Sequence, residues 1–145
     1  MSFTVKDLLK IEVAPALGCT EPTAIALASA AAATLIDKNS IKSIEIIIDQ
    51  NIYKNGLAVS IPGAKGNSGL DLAAVLGAFG GDPSLKLEVL DPVDDNILNR
   101  SKDFLKKNPI KVKLYEKSGK IHIHVILSDG KNKAEAIIEE LNDNN

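Results

Sequence analysis

The sequence predicts an α+β domain in which helices pack on one face of a mostly antiparallel sheet. One observation is an apolar run from Ala24 to Ile36, whose small side chains cover every face of a helix and indicate a central, alanine-rich, buried helix. The other is the last third of the chain, where apolar residues recur at every second position, as in strands with one solvated face. The 145 residues have the usual size of one domain, so residues 1–145 are predicted to form a single domain.

Composition excludes several classes of function. The 17 basic and 19 acidic residues are spread along the chain, so no polyanionic partner is expected. With three Phe, two Tyr and no Trp, nucleic-acid binding by stacking is also disfavoured. Ser29 and Thr34 interrupt the longest apolar run, which is too short to span a bilayer, so no membrane partner is expected. One cysteine and no secretion signal predict a reducing, cytoplasmic location.

Helix signals mark two segments near the N-terminus. Apolar residues between positions 8 and 13 follow a polar start and predict a short helix that ends before Pro15. The central helix is predicted to begin after Thr20, a typical N-cap residue, with Glu21 in its first turn. Pro22 lies close to the first helical position, where its missing N–H costs nothing.

Two strands are predicted next. Residues 41–48 alternate and then become continuously apolar, which is typical of a strand buried on one or both faces. Asn55-Gly56 is a strong signal for a two-residue turn, because both residues tolerate positive φ. Apolar residues alternate beyond it, so residues 57–61 are predicted to form a second strand.

The middle of the chain predicts two more helices. A glycine-rich loop, residues 63–69, opens onto a helical pattern over residues 70–79 that ends at a pair of glycines. Residues 85–90 are predicted to be a short strand or extended segment. Asp91 to Asp95 resembles a helix start, and the helix that follows is predicted to run over residues 97–107.

The last third predicts strands at residues 112–115 and 121–127, and Asp129-Gly130 predicts a hairpin turn after the second of these strands. Residues 134–141 are ambiguous. Their composition favours helix, whereas their position directly after the turn favours a strand that returns along the previous one. We favour the strand.

The only cysteine, Cys19, lies in the segment PALGCTEP directly before the predicted central helix. The positive end of the helix dipole stabilises a thiolate at this position, which makes it a better nucleophile or metal ligand. Gly18 allows close approach to the thiol, and Pro15 and Pro22 stiffen the segment on both sides, as suits a positioned ligand. The competing interpretation is a small buried hydrophobic residue, which composition alone favours. Nucleophilic catalysis needs a base, and both histidines are far away in sequence.

Those histidines, His122 and His124, lie two positions apart in a predicted strand and therefore on the same face. Two imidazoles on one face can bind a metal, but no nearby Cys, Asp or Glu offers an obvious third ligand. A solvated strand face is the favoured interpretation.

The loop over residues 63–69 offers backbone N–H groups in front of a helix, as in anion-binding helix N-termini, with Gly63, Asn67 and Ser68 as candidate binding residues. It matches neither the Walker nor the dinucleotide-binding glycine pattern, so nucleotide binding is weakly supported. A small anionic group, such as an amino-acid carboxylate, and a purely structural turn both stay open. Lys54 and Asn55 offer a cation and an amide that could orient a polar ligand, beside the interpretation of Asn-Gly as hairpin chemistry.

Three segments together resemble the N-terminal region of the L-cysteine desulfidase family, which is related to the α chain of iron-sulfur L-serine dehydratase. They are EVAPALGCTEPTAIALASAAA, NIYKNGLAVSIPG and GLDLAAVLGAFGGDPSLKLEVL, in the family's order and spacing. The resemblance implies an oxygen-sensitive lyase that uses a 4Fe-4S cluster to eliminate hydrogen sulfide from L-cysteine, leaving pyruvate and ammonia. It also implies that Cys19 is one of three cluster ligands. The hypothesis that follows is that this domain supplies Cys19 to such a lyase, together with polar contacts from Thr20, Glu21, Lys54 and Asn55.

The family's other cluster cysteines lie in a long C-terminal region that this sequence lacks. One cysteine cannot hold a cluster that needs at least three protein ligands. The resemblance therefore implies an incomplete site that a C-terminal region or a separate subunit completes, with no cluster on the isolated chain. The sequence does not separate L-cysteine from L-serine as substrate, and it leaves a homo-oligomer open. The alternatives are a small regulatory module that binds an amino acid without catalysis, and a remnant that only folds or oligomerises.

Overall fold

The computed structural model describes residues 4–13, 21–58, 69–108, 110–116 and 121–140. In chain order the elements are β1 (Thr4–Val13), α1 (Glu21–Ala33), β2 (Ser43–Asp49), α2 (Gln50–Ala58), α3 (Gly69–Gly80), α4 (Asp95–Lys107), β3 (Lys111–Tyr115), β4 (His122–Ser128) and β5 (Asn132–Glu140). Two 3₁₀ helices, Lys38–Ser40 and Pro83–Glu88, lie in the connections.

The five strands form one sheet in the order β1-β5-β4-β2-β3. β4 pairs with β5 and with β2 in antiparallel orientation, so the centre of the sheet is antiparallel. The edge strands β1 and β3 run parallel to their neighbours β5 and β2. The α+β class, with helices packed on a sheet, is confirmed.

In the inner strands β2, β4 and β5, every second side chain is apolar, and these apolar side chains lie on the same side of the sheet. These buried side chains are Ile44, Ile46 and Ile48 of β2, Ile123, Val125 and Leu127 of β4, and Ala136 and Ile138 of β5. They form one apolar cluster with side chains of α1, α3 and α4. α1 packs across β4 and β5, α3 packs on α1, and α4 packs on α3. The core therefore lies between the sheet and these helices.

α1 is the central helix, as predicted, and every side chain from Ala24 to Ala33 is buried. α3 approaches it closely, and the Ser29 hydroxyl donates a hydrogen bond to the Ala74 carbonyl oxygen at 2.5 Å. A Cβ at Gly77 would lie 2.9 Å from the Cα and the carbonyl carbon of Ala26, which is closer than real Cβ atoms approach. The small residues of α1 and α3 thus set the distance between the two helices.

The prediction of a helix over residues 8–13 is wrong, because residues 4–13 form β1. β1 pairs with β5 along its length, from Thr4 opposite Asn132 to Val13 opposite Glu140. This pairing satisfies backbone groups of β5 on the side away from β4. A partner that is distant in sequence therefore overrides the weak local helix signal.

The prediction of a hairpin at Asn55-Gly56 is also wrong, since both residues lie inside α2. α2 begins directly after β2, where Asp49 accepts a hydrogen bond from the N–H of Ile52. The buried Ile52 side chain anchors the helix in the core. This cap and anchor outweigh the turn preference of Asn-Gly. Of the strand predicted at residues 57–61, positions 57 and 58 are helical, and the rest lies outside the described residues.

Residues 83–88 form a 3₁₀ helix, so the extended segment predicted at residues 85–90 is wrong. Asp82 caps this turn by accepting a hydrogen bond from the N–H of Ser84. The ring of Pro83 fixes its φ angle at a value that suits the start of a helix. The predicted helices over residues 70–79 and 97–107, the hairpin at Asp129-Gly130 and the returning strand β5 are confirmed.

Candidate functional site

The structure places the start of the central helix where the sequence predicts it. α1 begins at Glu21, so Cys19 lies two positions before the first helical residue. Cys19 and Thr20 themselves lie outside the described residues. Gly63, Asn67 and Ser68, in the glycine-rich loop before α3, also lie outside them.

Lys54 and Asn55 follow one another in α2, and the Lys54 side chain is exposed. α2 contacts α1, which carries Glu21 at its first position, as well as α3 and the strands β2 and β3. The three residues predicted to act on the substrate thus belong to two neighbouring helices.

A second group of polar residues lies on the sheet face that points away from the buried cluster, which we call the outer face. Strand alternation and register place these residues there: Glu45, Ile47 and Asp49 of β2, Lys111, Lys113 and Tyr115 of β3, His122, His124, Ile126 and Ser128 of β4, and Lys133, Glu135, Ile137 and Glu139 of β5. It combines two imidazoles, four carboxylates and three isoleucines.

Asp49 connects three elements at one end of the outer face. Its Oδ1 atom accepts from the N–H of Ile52 at 3.0 Å, and its Oδ2 atom accepts from the N–H of His122 at 2.8 Å. The residue is only 2% exposed. One buried carboxylate therefore caps α2 and ties the beginning of β4 to the end of β2. Asp49 was not among the residues predicted from the sequence, although an Asp that ends a strand three positions before a buried apolar residue is a typical cap signal.

His122 is buried beneath aromatic and acidic neighbours. Its ring stacks on Tyr115 with a centroid distance of 3.6 Å and an interplanar angle of 10°. Its Nδ1 atom lies 3.6 Å from Oε2 of Glu139, beyond hydrogen-bond distance. Burial lowers the pKa of His122 below its usual range, and the nearby Glu139 carboxylate only partly opposes this effect. His122 is therefore favoured in its neutral form.

His124 makes a direct contact with a carboxylate, since its Nε2 atom lies 2.7 Å from Oε1 of Glu135. The two side chains are 18% and 11% exposed. The expectation of a solvated face is therefore wrong for both histidines, because Tyr115, Glu135 and Glu139 cover them. The expectation that both imidazoles lie on one face is confirmed, with ring centroids 6.4 Å apart.

The residues present do not fit a metal centre in the part of the chain that the structure describes. No group of three or more His, Cys, Asp or Glu there is arranged to hold a metal ion. An iron-sulfur cluster needs at least three protein ligands, usually thiolates, and the whole sequence contains one cysteine. This chain by itself therefore does not supply a cluster site.

The lowered pKa of His122 predicts that stability depends on pH. Between the lowered pKa in the folded state and about 6.5 in the unfolded state, the unfolded chain binds more protons. The free energy of unfolding is therefore expected to fall as the pH decreases from about 7.5 through 6.5. Urea denaturation between pH 5 and pH 8 measures this loss.

His122→Phe, which keeps a ring against Tyr115 but cannot titrate, is expected to reduce that loss. His124→Gln removes the other imidazole of the outer face and serves as the matched control, because the loss from His122 should persist in it. An unchanged pH profile in His122→Phe would show that His122 does not cause the loss.

The described helices also include none that is long and apolar enough to cross a membrane. No family model matches this chain, and no solved structure matches it either. The sequence is, however, similar to curated proteins named UPF0597 protein, at up to 51% identity over nearly the whole chain.

The UPF0597 protein of Desulfatibacillum aliphaticivorans is 51% identical over 145 residues, which cover 99% of this chain and 33% of the relative. The UPF0597 protein of Desulforapulum autotrophicum is 50% identical over the same share of both chains. The UPF0597 protein of Klebsiella pneumoniae is 40% identical over 131 residues, which cover 90% of this chain and 30% of the relative. The chain thus spans about a third of the length of the curated relatives it matches.

Proposed function

We propose that this chain is the N-terminal part of an iron-sulfur-dependent lyase that acts on L-cysteine or L-serine in the reducing cytoplasm. The observation that carries the proposal is the segment PALGCTEP, which resembles the cluster segment of L-cysteine desulfidases and whose last two residues, Glu21 and Pro22, begin α1. Position 19 comes two residues before this 13-residue helix in the sequence, and the positive end of a helix dipole favours the charged thiolate that binds iron.

The proposed reaction is a β-elimination. The Cα–H proton of the amino acid is removed, and the bond from Cβ to sulfur or oxygen breaks with its electron pair leaving on the heteroatom. Hydrogen sulfide or water is released, and the remaining aminoacrylate tautomerises to an imine. Water hydrolyses this imine to pyruvate and ammonia. The reaction is redox-neutral, and it needs a base, a cation that binds the substrate carboxylate, and a site for the leaving group.

In this proposal Glu21, Lys54 and Asn55 act at the reacting centre, and Cys19 is one ligand of the cluster. Thr20, Gly63, Asn67 and Ser68 contact the substrate. Lys54 is exposed on α2, so its ammonium group has solvent access, and α2 contacts α1, the helix that carries Glu21. The remaining thiolates must come from polypeptide outside this sequence, either a longer chain or a separate subunit.

A chimaera tests the proposal, with this sequence replacing the matching third of the Desulfatibacillum aliphaticivorans relative. After anaerobic reconstitution with iron and sulfide, we expect visible absorbance of a cluster and pyruvate formation from L-cysteine or L-serine. Cys19→Ser is expected to lose most of both, because one of the few cluster ligands is removed. Lys107→Ser, which changes an exposed residue of α4, is the control and should retain both.

A Cys19→Ser chimaera that keeps its cluster and its activity would contradict the ligand role. Absence of pyruvate with either substrate from a cluster-loaded chimaera would contradict the lyase. Calorimetry of the 145-residue chain with L-cysteine and L-serine addresses the alternative, since the absence of heat with both amino acids would exclude a regulatory module that binds them.

A further inference from the structure

One row of side chains crosses the outer face at the edge of the sheet where β2, β3 and β5 end and β4 begins. The register places Tyr115 of β3 beside Asp49 of β2, and His122 of β4 opposite Glu139 of β5. Asp49 lies beside His122, because the register between β2 and β4 continues to this position and Asp49 accepts a hydrogen bond from the N–H of His122. The row therefore runs from Tyr115 through Asp49 and His122 to Glu139.

The rings of Tyr115 and His122 meet over Asp49. Their strands, β3 and β4, lie on opposite sides of β2 and are therefore about 10 Å apart. The ring centroids are nevertheless only 3.6 Å apart. Both side chains thus extend across β2, the strand that carries Asp49, and Asp49 is buried there. We call these two stacked rings the aromatic cover.

The surroundings of His122 oppose a positive charge on its ring. Burial is the largest effect and lowers the pKa of His122. Glu139 of β5 and Asp49 of β2 favour the charge, His124 of the same strand opposes it, and the phenol ring of Tyr115 faces the imidazole from β3. The Nδ1 atom is buried without a hydrogen-bond partner, 3.6 Å from Oε2 of Glu139. Protonation therefore favours a conformation in which the imidazole reaches water.

We propose that the aromatic cover is a proton-operated switch, which closes over Asp49 when His122 is neutral and opens when His122 is protonated. Opening exposes the Asp49 carboxylate, which accepts from the N–H groups of Ile52 and His122. Water then competes for its oxygen atoms and weakens both hydrogen bonds. One proton thus loosens the start of α2, the helix that carries Lys54, together with the start of β4. The switch belongs to the fold and holds whether or not the chain is part of a lyase.

The position of the aromatic cover suits local opening. Tyr115 is the last residue of the edge strand β3 and His122 is the first residue of β4, and strand ends open at a lower free energy than strand centres. In the open form the imidazole is in water, where its pKa is about 6.5, whereas the pKa is lower in the closed form. The ratio of open to closed molecules therefore rises by up to about tenfold between pH 7.5 and pH 5.5.

Amide hydrogen exchange of the 145-residue chain, followed by NMR at pH 7.5 and pH 5.5, tests the switch. The reporter is the N–H of Ile52, which is bonded to Asp49, and the matched control is the N–H of Ile97, which is bonded to Asp94 in an equivalent cap. The ratio of the two exchange rates cancels the intrinsic pH dependence that both amides share. This ratio is expected to rise by up to about tenfold at pH 5.5. An unchanged ratio would overturn the proposal.

Two variants assign the proton. His122→Phe keeps a ring against Tyr115 that cannot take up a proton, so the ratio should stay constant between the two pH values. His124→Gln removes the imidazole that contacts Glu135 and should leave the rise intact. A rise of the same size in His122→Phe would show that another group operates the cover.

Tyr115 itself provides a second measurement, because the chain has two tyrosines and no tryptophan. In Tyr53→Phe the fluorescence comes from Tyr115 alone, and its quenching by acrylamide should increase as the pH falls from 7.5 to 5.5. Circular dichroism at each pH separates local opening from unfolding. Quenching that increases only together with a loss of helical signal would overturn the local switch. Neither measurement uses pyruvate formation, so the switch and the lyase fail separately.

Discussion

Gly77→Ala is expected to lower the free energy of unfolding by about 3 kcal/mol. The added Cβ would overlap the carbonyl oxygen of Ala26, and the Cα and carbonyl carbon of the same residue are 2.9 Å away. All three atoms belong to the backbone of α1, so no side-chain rotation relieves the overlap. α1 and α3 would have to separate, which would also lengthen the hydrogen bond from Ser29 to Ala74. Urea denaturation monitored by circular dichroism measures the change.

Gly80→Ala is the matched control on the same helix. Its Cβ would lie 2.6 Å from Cγ2 of Ile97, the end of a side chain that can change its rotamer. The loss in the free energy of unfolding should therefore be smaller than for Gly77→Ala. Alanine also has less backbone entropy than glycine to lose on folding, which offsets about 0.5 to 1 kcal/mol of this loss. Equal losses in the two variants, or a neutral Gly77→Ala, would show that α1 and α3 are not in backbone contact.

Asp49→Ala is expected to lower the free energy of unfolding by about 3 kcal/mol. The lost cap of α2 accounts for about 1 kcal/mol, and the buried N–H of His122, left without an acceptor, accounts for about 2 kcal/mol. In a protein of this size the melting temperature should fall by about 10 °C. The effect combines two bonds because one carboxylate accepts from both Ile52 and His122. Thermal denaturation at pH 7.5 measures it, where the contribution of His122 titration is small.

Asp94→Ala isolates the cap contribution. Asp94 is the exposed N-cap of α4 and accepts from the N–H of Ile97 at 2.9 Å, as Asp49 accepts from that of Ile52. It has no second acceptor role among its described hydrogen bonds, so a loss of about 1 kcal/mol is expected. If Asp49→Ala costs no more than Asp94→Ala, the link between Asp49 and His122 does not stabilise the sheet.

Much of the fold was predictable because its signals are local. The start of α1 follows from Glu21 and Pro22 at the first helical positions, and α4 starts after the cap residue Asp94. The hairpin between β4 and β5 follows from Asp129-Gly130, where Gly130 has a φ of 97° that favours glycine. In the last third of the chain, apolar residues at every second position identify which side of β4 faces the core.

The failed predictions concern segments whose local preference is weak or misleading. Residues 8–13 have apolar positions compatible with helix or strand, and the pairing with β5, more than 120 positions away, decides for strand. Asn55-Gly56 is a typical turn pair, yet the cap at Asp49 and the burial of Ile52 continue α2 through it. Sequence spacing showed that His122 and His124 share a face, but it could not show that Glu135 and Glu139 lie beside them.

The sequence by itself determined the α+β class, the alanine-rich central helix, the side of β4 that faces the core and the single thiol before α1. Each of these follows from neighbours within a few positions, through capping, periodicity or composition. Only the tertiary structure decided the strand order, the parallel edge strands, the double role of Asp49 and the outer face with its histidines and isoleucines. Those features depend on which distant segments satisfy each other's backbone groups and bury each other's side chains, and that choice is made by the whole fold at once.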